Sequence, residues 1–333
     1  MCSGHISSEL MRSLTRVVFF LLAASMGLGQ TYQTNAPLAP RNVDPSSRGE
    51  VGLQNSDFLR AEADLVLVPV TVTDRLNRPV LGLQKDGFTV FDQRDRQVIR
   101  YFSTQDAPLS VGILFDTSSS MRGKIERSRE AVVQFLRTSS PEDEFFLVGF
   151  NDRPELLVNF TDSVEAIQSQ ISNVKPEGRT ALLDAVYLGL DQMKRARNER
   201  KVLLIISDGG DNHSRYNVRE VGSVILEAGV QIYALGIFDE APRTKAERMG
   251  PDLLSAITGI TGGRTFSIHN LKKLGDATDK LAVELRDQYL IAYRPSDLAH
   301  DGKWHKISVR VTPLPDSSQL RVHAKGGYYA LAR

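Results

Sequence analysis

The feature that most restricts the fold is an alternation of apolar and amphipathic runs across residues 108–286. Residues 109–116 (LSVGILFD), 144–150 (EFFLVGF) and 201–207 (KVLLIIS) are continuous apolar runs of strand length, as is typical of strands buried on both faces. Runs with helical spacing lie between them. This alternation predicts an α/β fold with a doubly wound, mostly parallel sheet flanked by helices. Its crossover connections are expected to be right-handed.

Further runs of both kinds complete the alternation. The spacing of apolar residues predicts helices at residues 123–137, 163–174, 181–195, 218–228, 252–258 and 271–286. Short strands are predicted at residues 155–160, 231–238 and 264–267. In open α/β sheets, functional groups collect in the loops beyond the carboxyl ends of the strands. Those loops are therefore where we expect a site.

The two flanks of this region have a different pattern. Residues 58–107 and 287–333 contain runs of alternating apolar and polar residues, such as residues 64–74 (DLVLVPVTVTD) and 306–311 (KISVRV), with no helical run between them. Such alternation predicts half-buried β-strands. Because either flank alone has few strands with which to bury a face, we predict that the two flanks pair into one small β-sandwich.

The amino-terminal segment has the features of a secretory signal peptide. Arg12 and Arg16 precede a short apolar run at residues 17–28, which ends among small residues. The run is shorter than the roughly 20 residues that a membrane-spanning helix needs. We predict a signal peptide at residues 1–29 and a secreted, periplasmic or cell-envelope protein. The alternative is an uncleaved segment that anchors the protein in a membrane. Polar, turn-rich residues 30–57 are predicted to form a disordered linker.

Composition and charge exclude several classes of function. The chain has 41 basic and 40 acidic residues and a formal net charge of +1, whereas binding to nucleic acid needs a concentrated positive field. We therefore predict no nucleic-acid partner. The single cysteine is Cys2, inside the predicted signal peptide, so the mature chain is expected to form no disulfide. No phosphate-binding GxxxxGKS/T loop is present, and no histidine is placed by a motif beside a candidate nucleophile.

Oxygen-bearing side chains follow two of the predicted core strands and precede one predicted helix. The first strand ends in DTSSS, the strand at residues 201–207 leads into SDGGDN, and GRTALLDA lies before a helix. Loops at one edge of a sheet can converge, and carboxylates and hydroxyls are hard donors suited to Mg²⁺, Mn²⁺ or Ca²⁺. We predict an exposed metal site formed by Asp116, Ser118, Ser120, Thr180 and Asp208.

These three segments resemble the metal-ion-dependent adhesion site of von Willebrand factor A and integrin inserted domains. The resemblance implies that Ser118 and Ser120 bind the metal directly and that Asp116 and Asp208 act largely through water. It also implies that Thr180 joins or leaves the metal with the ligand-bound state. The metal would be Mg²⁺, or alternatively Mn²⁺ or Ca²⁺.

The resemblance covers about residues 108–286, with one departure in the first motif. Ser119 stands where the family more commonly has glycine, which puts the conformation of that turn in question. With β segments before and after the domain, the layout is also similar to that of exported bacterial proteins related to von Willebrand factor A.

The residue pattern and the resemblance together predict a non-catalytic, metal-dependent protein-binding or adhesion protein. An acidic residue of a protein partner would complete the metal's coordination. One alternative is a structural cell-envelope module in which the metal only stabilises loops. Another is a Mg²⁺-dependent phosphoryl-transfer enzyme with Asp116 as the nucleophile. That chemistry normally has a second carboxylate two positions later, where this chain has Ser118.

Other polar and aromatic residues receive less specific predictions. Asp184 is expected to support the Thr180 loop rather than to bind metal, and Asp211 and Asn212 are expected to be solvated loop residues. His213 has no second His or Cys at ligand spacing, so no zinc site is predicted there.

Overall fold

The computed structural model describes residues 65–104, 106–242, 244–296, 302–312 and 320–330, and all of them belong to one compact unit. The predicted signal peptide and the predicted linker lie outside these ranges. Within the ranges, no helix combines the length and the apolar character needed to cross a membrane.

Fourteen strands and six α-helices lie within the described residues. The strands are β1 (Val66–Thr73), β2 (Phe88–Asp92), β3 (Asp95–Gln97), β4 (Ile99–Ser103), β5 (Leu109–Asp116), β6 (Glu144–Phe150), β7 (Pro154–Thr161), β8 (Arg200–Ser207), β9 (Gln231–Ile237), β10 (Thr265–Ile268), β11 (Tyr289–Tyr293), β12 (Trp304–Val311), β13 (Arg321–Ala324) and β14 (Gly327–Tyr329). The helices are α1 (Ile125–Leu136), α2 (Val164–Asn173), α3 (Leu182–Met193), α4 (Val218–Ala228), α5 (Lys245–Ile260) and α6 (Leu274–Arg286).

The central sheet has six strands in the order β10-β9-β8-β5-β6-β7. Five of them run parallel, and only the edge strand β7 is antiparallel to its neighbour β6. Every residue of β5 is buried, as its continuous apolar run predicts. The predicted fold class is confirmed.

Helices cover both faces of this sheet, and the period-two alternation of the strands divides the core between them. On β8, Leu204 and Ile206 pack in one apolar cluster with helices α1, α2 and α6. Leu203 and Ile205 point the other way, into a second cluster with α3, α4 and α5. A strand with apolar residues at successive positions therefore contributes to two cores at once.

Helix α5 is longer than the helix predicted at residues 252–258. It begins at Lys245 because Thr244 and Glu247 form a capping box, in which the Thr244 hydroxyl accepts from the Glu247 N–H and the Glu247 carboxylate accepts from the Thr244 N–H. The first turn has little apolar periodicity, so the spacing of apolar residues locates only the buried part of the helix.

The two flanks form two four-stranded antiparallel sheets, ordered β13-β1-β11-β4 and β14-β12-β2-β3. Each sheet combines strands from both flanks: Val68 pairs with Ile291, and Val90 pairs with Val309. Residues of both sheets share one apolar cluster. The flanks thus pair with each other, as predicted, while the exact bounds of the predicted regions stay predictions.

Lys325, which follows β13, is half-buried where the β-sandwich meets the central domain. Its backbone N would lie 2.4 Å from a Cβ added to Gly262, and burial lowers the pKa of its ammonium to about 8. The folded protein therefore binds fewer protons than the unfolded chain between about pH 8 and the ordinary lysine pKa of 10.5. The free energy of unfolding should rise with pH across that interval.

Lys325→Met is expected to raise the free energy of unfolding at about pH 7 by about 1–2 kcal/mol, with allowance for the remaining solvent exposure of the side chain. It should also flatten the rise in that free energy toward about pH 10. Denaturant unfolding at several pH values measures both effects. Lys306→Met, at an exposed position of β12, is the control, and identical profiles for the two variants would contradict the expectation.

Candidate functional site

The first loop of the candidate site begins at Asp116, the last residue of β5. Asp116 is completely buried, and both of its carboxylate oxygens accept hydrogen bonds. Oδ1 accepts from the Ser118 N–H at 2.8 Å, and Oδ2 accepts from the Ser207 hydroxyl at 2.5 Å. The Ser118 and Ser120 hydroxyl oxygens lie 3.0 Å apart. The register that pairs Phe115 with Ile206 places the ends of β5 and β8 side by side.

The turn after Asp116 does not require the glycine that the family motif more commonly has. Residues Ser119–Met121 form a short 3-10 helix. Among the described residues other than glycine, only Asn77 and Gln93 have a positive φ, so Ser119 adopts an ordinary conformation. Its N–H donates to the Gly178 carbonyl at 3.1 Å. The departure from the motif leaves the loop in place.

The second loop, which carries Thr180, is bonded to both of the others. The Glu177 N–H donates to the Thr117 carbonyl at 2.8 Å, which joins this loop to the end of β5. The Thr180 N–H donates to Asn212 Oδ1 at 3.0 Å. The Thr180 carbonyl accepts from the N–H groups of Asn212 and His213, each at 3.0 Å. Thr180 is therefore fixed to the loop that follows Asp208.

The third loop begins at Ser207 and Asp208, at the end of β8. Asp208 is buried, and its Oδ1 accepts from the Gly210 N–H at 3.2 Å. The Ser207 hydroxyl accepts from the Gly209 N–H at 2.9 Å while donating to Asp116. Ser207, which the sequence reasoning did not single out, links the two acidic loops.

The two acidic side chains are close enough to affect each other's ionisation. Burial, and then the negative charge of Asp208, raise the pKa of Asp116 to about 7. Two buried carboxylates of like charge disfavour simultaneous ionisation, and a cation beside them would relieve the repulsion.

A cation is already present at this edge in the form of Lys124, a residue that the sequence reasoning missed. Its Nζ lies 3.2 Å from Asp208 Oδ2 and 2.9 Å from Asp239 Oδ2. Burial alone lowers the pKa of Lys124, but the hydrogen bond to Asp239 and the charges of both aspartates outweigh it and raise that pKa. Asp239 follows β9. A third acidic residue just past a strand end was thus the one feature of the sequence that pointed to this contact.

The surrounding polar residues hold the loops together. Asp184 accepts from the backbone N–H groups of Arg215 and Tyr216, at 2.9 and 3.1 Å, which ties α3 to the loop after Asp208. Asp211 accepts from the Leu183 N–H at 2.9 Å. His213 Nε2 lies 3.0 Å from Arg179 Nη2.

Most of the predicted site residues lie beneath the surface of the three loops. Asp116, Ser118, Thr180 and Asp208 are buried, and only Ser120 is half-buried. The cause is the hydrogen bonding among the three loops, which fold over the acidic side chains. Solvent meets the cluster on the side of Ser120, where the neighbouring Ser119 is exposed.

The chemistry of this donor set fits a small hard cation. Two carboxylates and neutral hydroxyls are the donors that Mg²⁺ accepts. In an octahedral shell with metal–oxygen distances of about 2.1 Å, adjacent ligands lie about 3 Å apart, which matches the spacing of 3.0 Å between Ser118 Oγ and Ser120 Oγ. Across the described residues, no group of three or more His, Cys, Asp or Glu side chains could hold a metal. Binding would therefore depend on the hydroxyls.

Comparison with known proteins relates the same region to a described family. Residues 111–210 match the family model of the von Willebrand factor type A domain. Inter-alpha-trypsin inhibitor heavy chain H4 of Sus scrofa is 26% identical over 168 residues, which are 45% of this chain and 18% of that protein. The uncharacterized protein sll0103 of Synechocystis is 23% identical over 168 residues, 49% of this chain and 38% of that one. The match thus spans well under half the length of either relative.

Among solved structures, an aerotolerance-related membrane protein from Bacteroides fragilis matches part of this chain. It has a TM-score of 0.44 and 16% sequence identity, and the match covers 53% of this chain and 98% of that one.

Proposed function

Because this chain contains a von Willebrand factor type A domain, matched across residues 111–210, we propose that it is a non-catalytic binding protein that uses a divalent metal. Domains of this family are modules for adhesion and protein interaction. The three loops at the carboxyl edge of the central sheet would hold the metal, and a protein partner would bind at the metal. The spacing of 3.0 Å between the Ser118 and Ser120 hydroxyls, directly after a buried Asp116, is the observation that carries this proposal.

The five predicted residues have separate roles in this proposal. Ser118 and Ser120 would bind the metal directly, Asp116 and Asp208 would hold it largely through water, and Thr180 would join or leave with the ligand-bound state. When bound, Mg²⁺ (or Mn²⁺ or Ca²⁺) supplies positive charge and an open coordination position for an external oxygen. The residues of this chain supply the preorganised hydroxyls and offset the charge of the cation.

The partner that suits such a site is a protein with an accessible acidic residue. A carboxylate oxygen is a hard donor and would complete the coordination of the metal. The half-buried Ser120 and the exposed Ser119 mark the side from which the partner would approach. We place the binding outside the cytoplasm, on the basis of the apolar run at residues 17–28. Contact with a membrane would arise only from an uncleaved amino-terminal segment.

The arrangement around Asp116 argues against the phosphoryl-transfer alternative. A nucleophilic carboxylate needs an oxygen that can reach a substrate. Asp116 is completely buried, and its two oxygens accept from Ser118 and Ser207. This supports a role in holding the loop and the cation rather than in attacking a substrate.

Titration calorimetry with MgCl₂ and MnCl₂ on metal-free protein tests the proposal directly. One binding event per chain is expected. Circular dichroism should be unchanged by EDTA, since the loops are joined by hydrogen bonds without a metal. An absence of binding at millimolar metal would contradict the proposal.

Chelation separates the binding role from the structural one. Partner capture from the extracellular or envelope fraction should be lost in EDTA and return with Mg²⁺. Capture that persists in EDTA, together with a melting temperature that falls sharply on chelation, would favour a metal that only stabilises loops.

A further inference from the structure

Lys124 lies between two carboxylates that follow adjacent strands at the carboxyl edge of the sheet. Its side chain is 7% exposed and that of Asp208 is 3% exposed, so their contact at 3.2 Å is largely shielded from water. Asp239, at 2.9 Å from the same ammonium, is 54% exposed. A cation belonging to the chain itself thus contacts one of the carboxylates that would serve the metal.

The backbone of Lys124 is held firmly, so only its side chain is free to move. The Lys124 N–H donates to the Met121 carbonyl at 2.8 Å. The Lys124 carbonyl accepts from the N–H and the hydroxyl of Ser128, each at 3.0 Å. The residue lies just beyond Ser118 and Ser120, so one loop carries both the candidate metal-binding hydroxyls and this ammonium.

Lys124 and its more exposed partner, Asp239, lie at a surface groove. Lys124 and Asp239 both line a surface groove of about 440 Å³, together with Phe238, His269 and Asn270. Asp208 is not among the residues that line this groove, whereas Asp239 is.

We propose that Lys124 is a tethered cation that neutralises Asp208 in the metal-free protein and competes with the divalent metal for that carboxylate. The inference rests on the proposed function, because it concerns the same metal. Two consequences follow from electrostatics. A fixed positive charge beside the site opposes the binding of a dication, and without a metal it prevents Asp208 from being left buried and unpaired. Lys124 therefore weakens metal binding and keeps the empty loops assembled.

Lys124→Met removes the charge and keeps most of the side-chain volume. We expect this variant to bind Mg²⁺ about tenfold more tightly in calorimetric titration. Its metal-free melting temperature should be lower than that of the wild type, and Mg²⁺ should restore it. Lys201→Met is the matched control: it removes the same charge near the start of β8, at the opposite edge of the sheet, and should leave Mg²⁺ affinity unchanged.

Asp239→Asn provides a second variant that will fold, because Asp239 is more than half exposed. Without Asp239, Lys124 has Asp208 as its remaining carboxylate partner, so Mg²⁺ should bind several-fold more weakly. Glu240→Gln, an exposed neighbour, controls for the loss of one surface charge. An affinity of Asp239→Asn that equals or exceeds that of Glu240→Gln overturns the inference.

The outcomes distinguish this inference from the proposed function. If the wild type binds Mg²⁺ and Lys124→Met binds it equally or less tightly, Lys124 does not compete with the metal, and the proposed metal site is still supported. If Lys124→Met alone binds Mg²⁺, the competition is real and the wild-type protein is not metal-dependent. If neither binds, both ideas fail.

Discussion

Asp116→Asn is expected to abolish Mg²⁺ binding and metal-dependent partner capture without unfolding the protein. The asparagine keeps the shape of the side chain, and its amide oxygen still accepts a hydrogen bond from Ser118. It also removes the negative charge of residue 116. Burial, together with repulsion between that charge and Asp208, raises the pKa of Asp116 to about 7. The metal-free melting temperature should therefore equal or exceed that of the wild type, while calorimetry detects no metal binding.

The matched control is another buried aspartate at the opposite edge of the sheet. Asp143 accepts from the Leu109 N–H at 2.8 Å and forms an ion pair with Arg286. Asp143→Asn should lower the melting temperature, because it weakens that ion pair, and still bind Mg²⁺. Equal metal affinity in Asp116→Asn and the wild type would show that the metal lies elsewhere or that there is none.

Gly209→Ala is expected to damage both stability and metal binding. Gly209 has φ 74°, and a Cβ built there would lie 2.6 Å from the Gly250 carbonyl oxygen of α5. Both obstacles are backbone features that a side-chain rotamer cannot relieve. We expect a loss of about 3 kcal/mol in the free energy of unfolding, and several-fold weaker Mg²⁺ binding as the adjacent Asp208 shifts.

Gly229→Ala separates the two causes of that loss. Gly229 ends α4 with φ 63°, and nothing lies within 4 Å of an added Cβ. It should therefore lose only about 1 kcal/mol, the conformational part, with Mg²⁺ affinity unchanged. If both alanine variants have the same free energy of unfolding, the contact with Gly250 does not contribute to the loss of stability.

The fold could be predicted because the strands of the central sheet are continuous apolar runs. Residues 144–150 were predicted as a strand and form β6, and residues 218–228 were predicted as a helix and form α4. The start of α5 was missed because its capping box lies outside the apolar periodicity. Spacing of apolar residues locates buried faces, whereas local hydrogen bonds set where an element begins.

For the candidate site too, strand positions could be predicted from the sequence and contacts between loops could not. The parallel strands that the alternation predicts put Asp116 and the end of β8 at the same edge of the sheet, whereas the direct pairing of β5 with β8 is a finding of the structure. The burial of the site and the contact between Lys124 and Asp239 could not be predicted, since both depend on how separate loops fold over one another. The residue type at a strand end is visible in the sequence, but a contact between loops depends on their arrangement in space.

The pairing of β4 with β11 has a consequence for how the molecule is put together. Ser103 lies opposite Leu290, so the polypeptide leaves the β-sandwich and re-enters it at neighbouring points. The central α/β domain is therefore inserted into the sandwich through two adjacent connections, and it also contacts the sandwich where Gly262 meets Ala324 and Lys325. Deleting the central domain and joining Ser103 to Leu290 by a short linker should leave a sandwich that folds by itself. A different domain could be inserted at the same point.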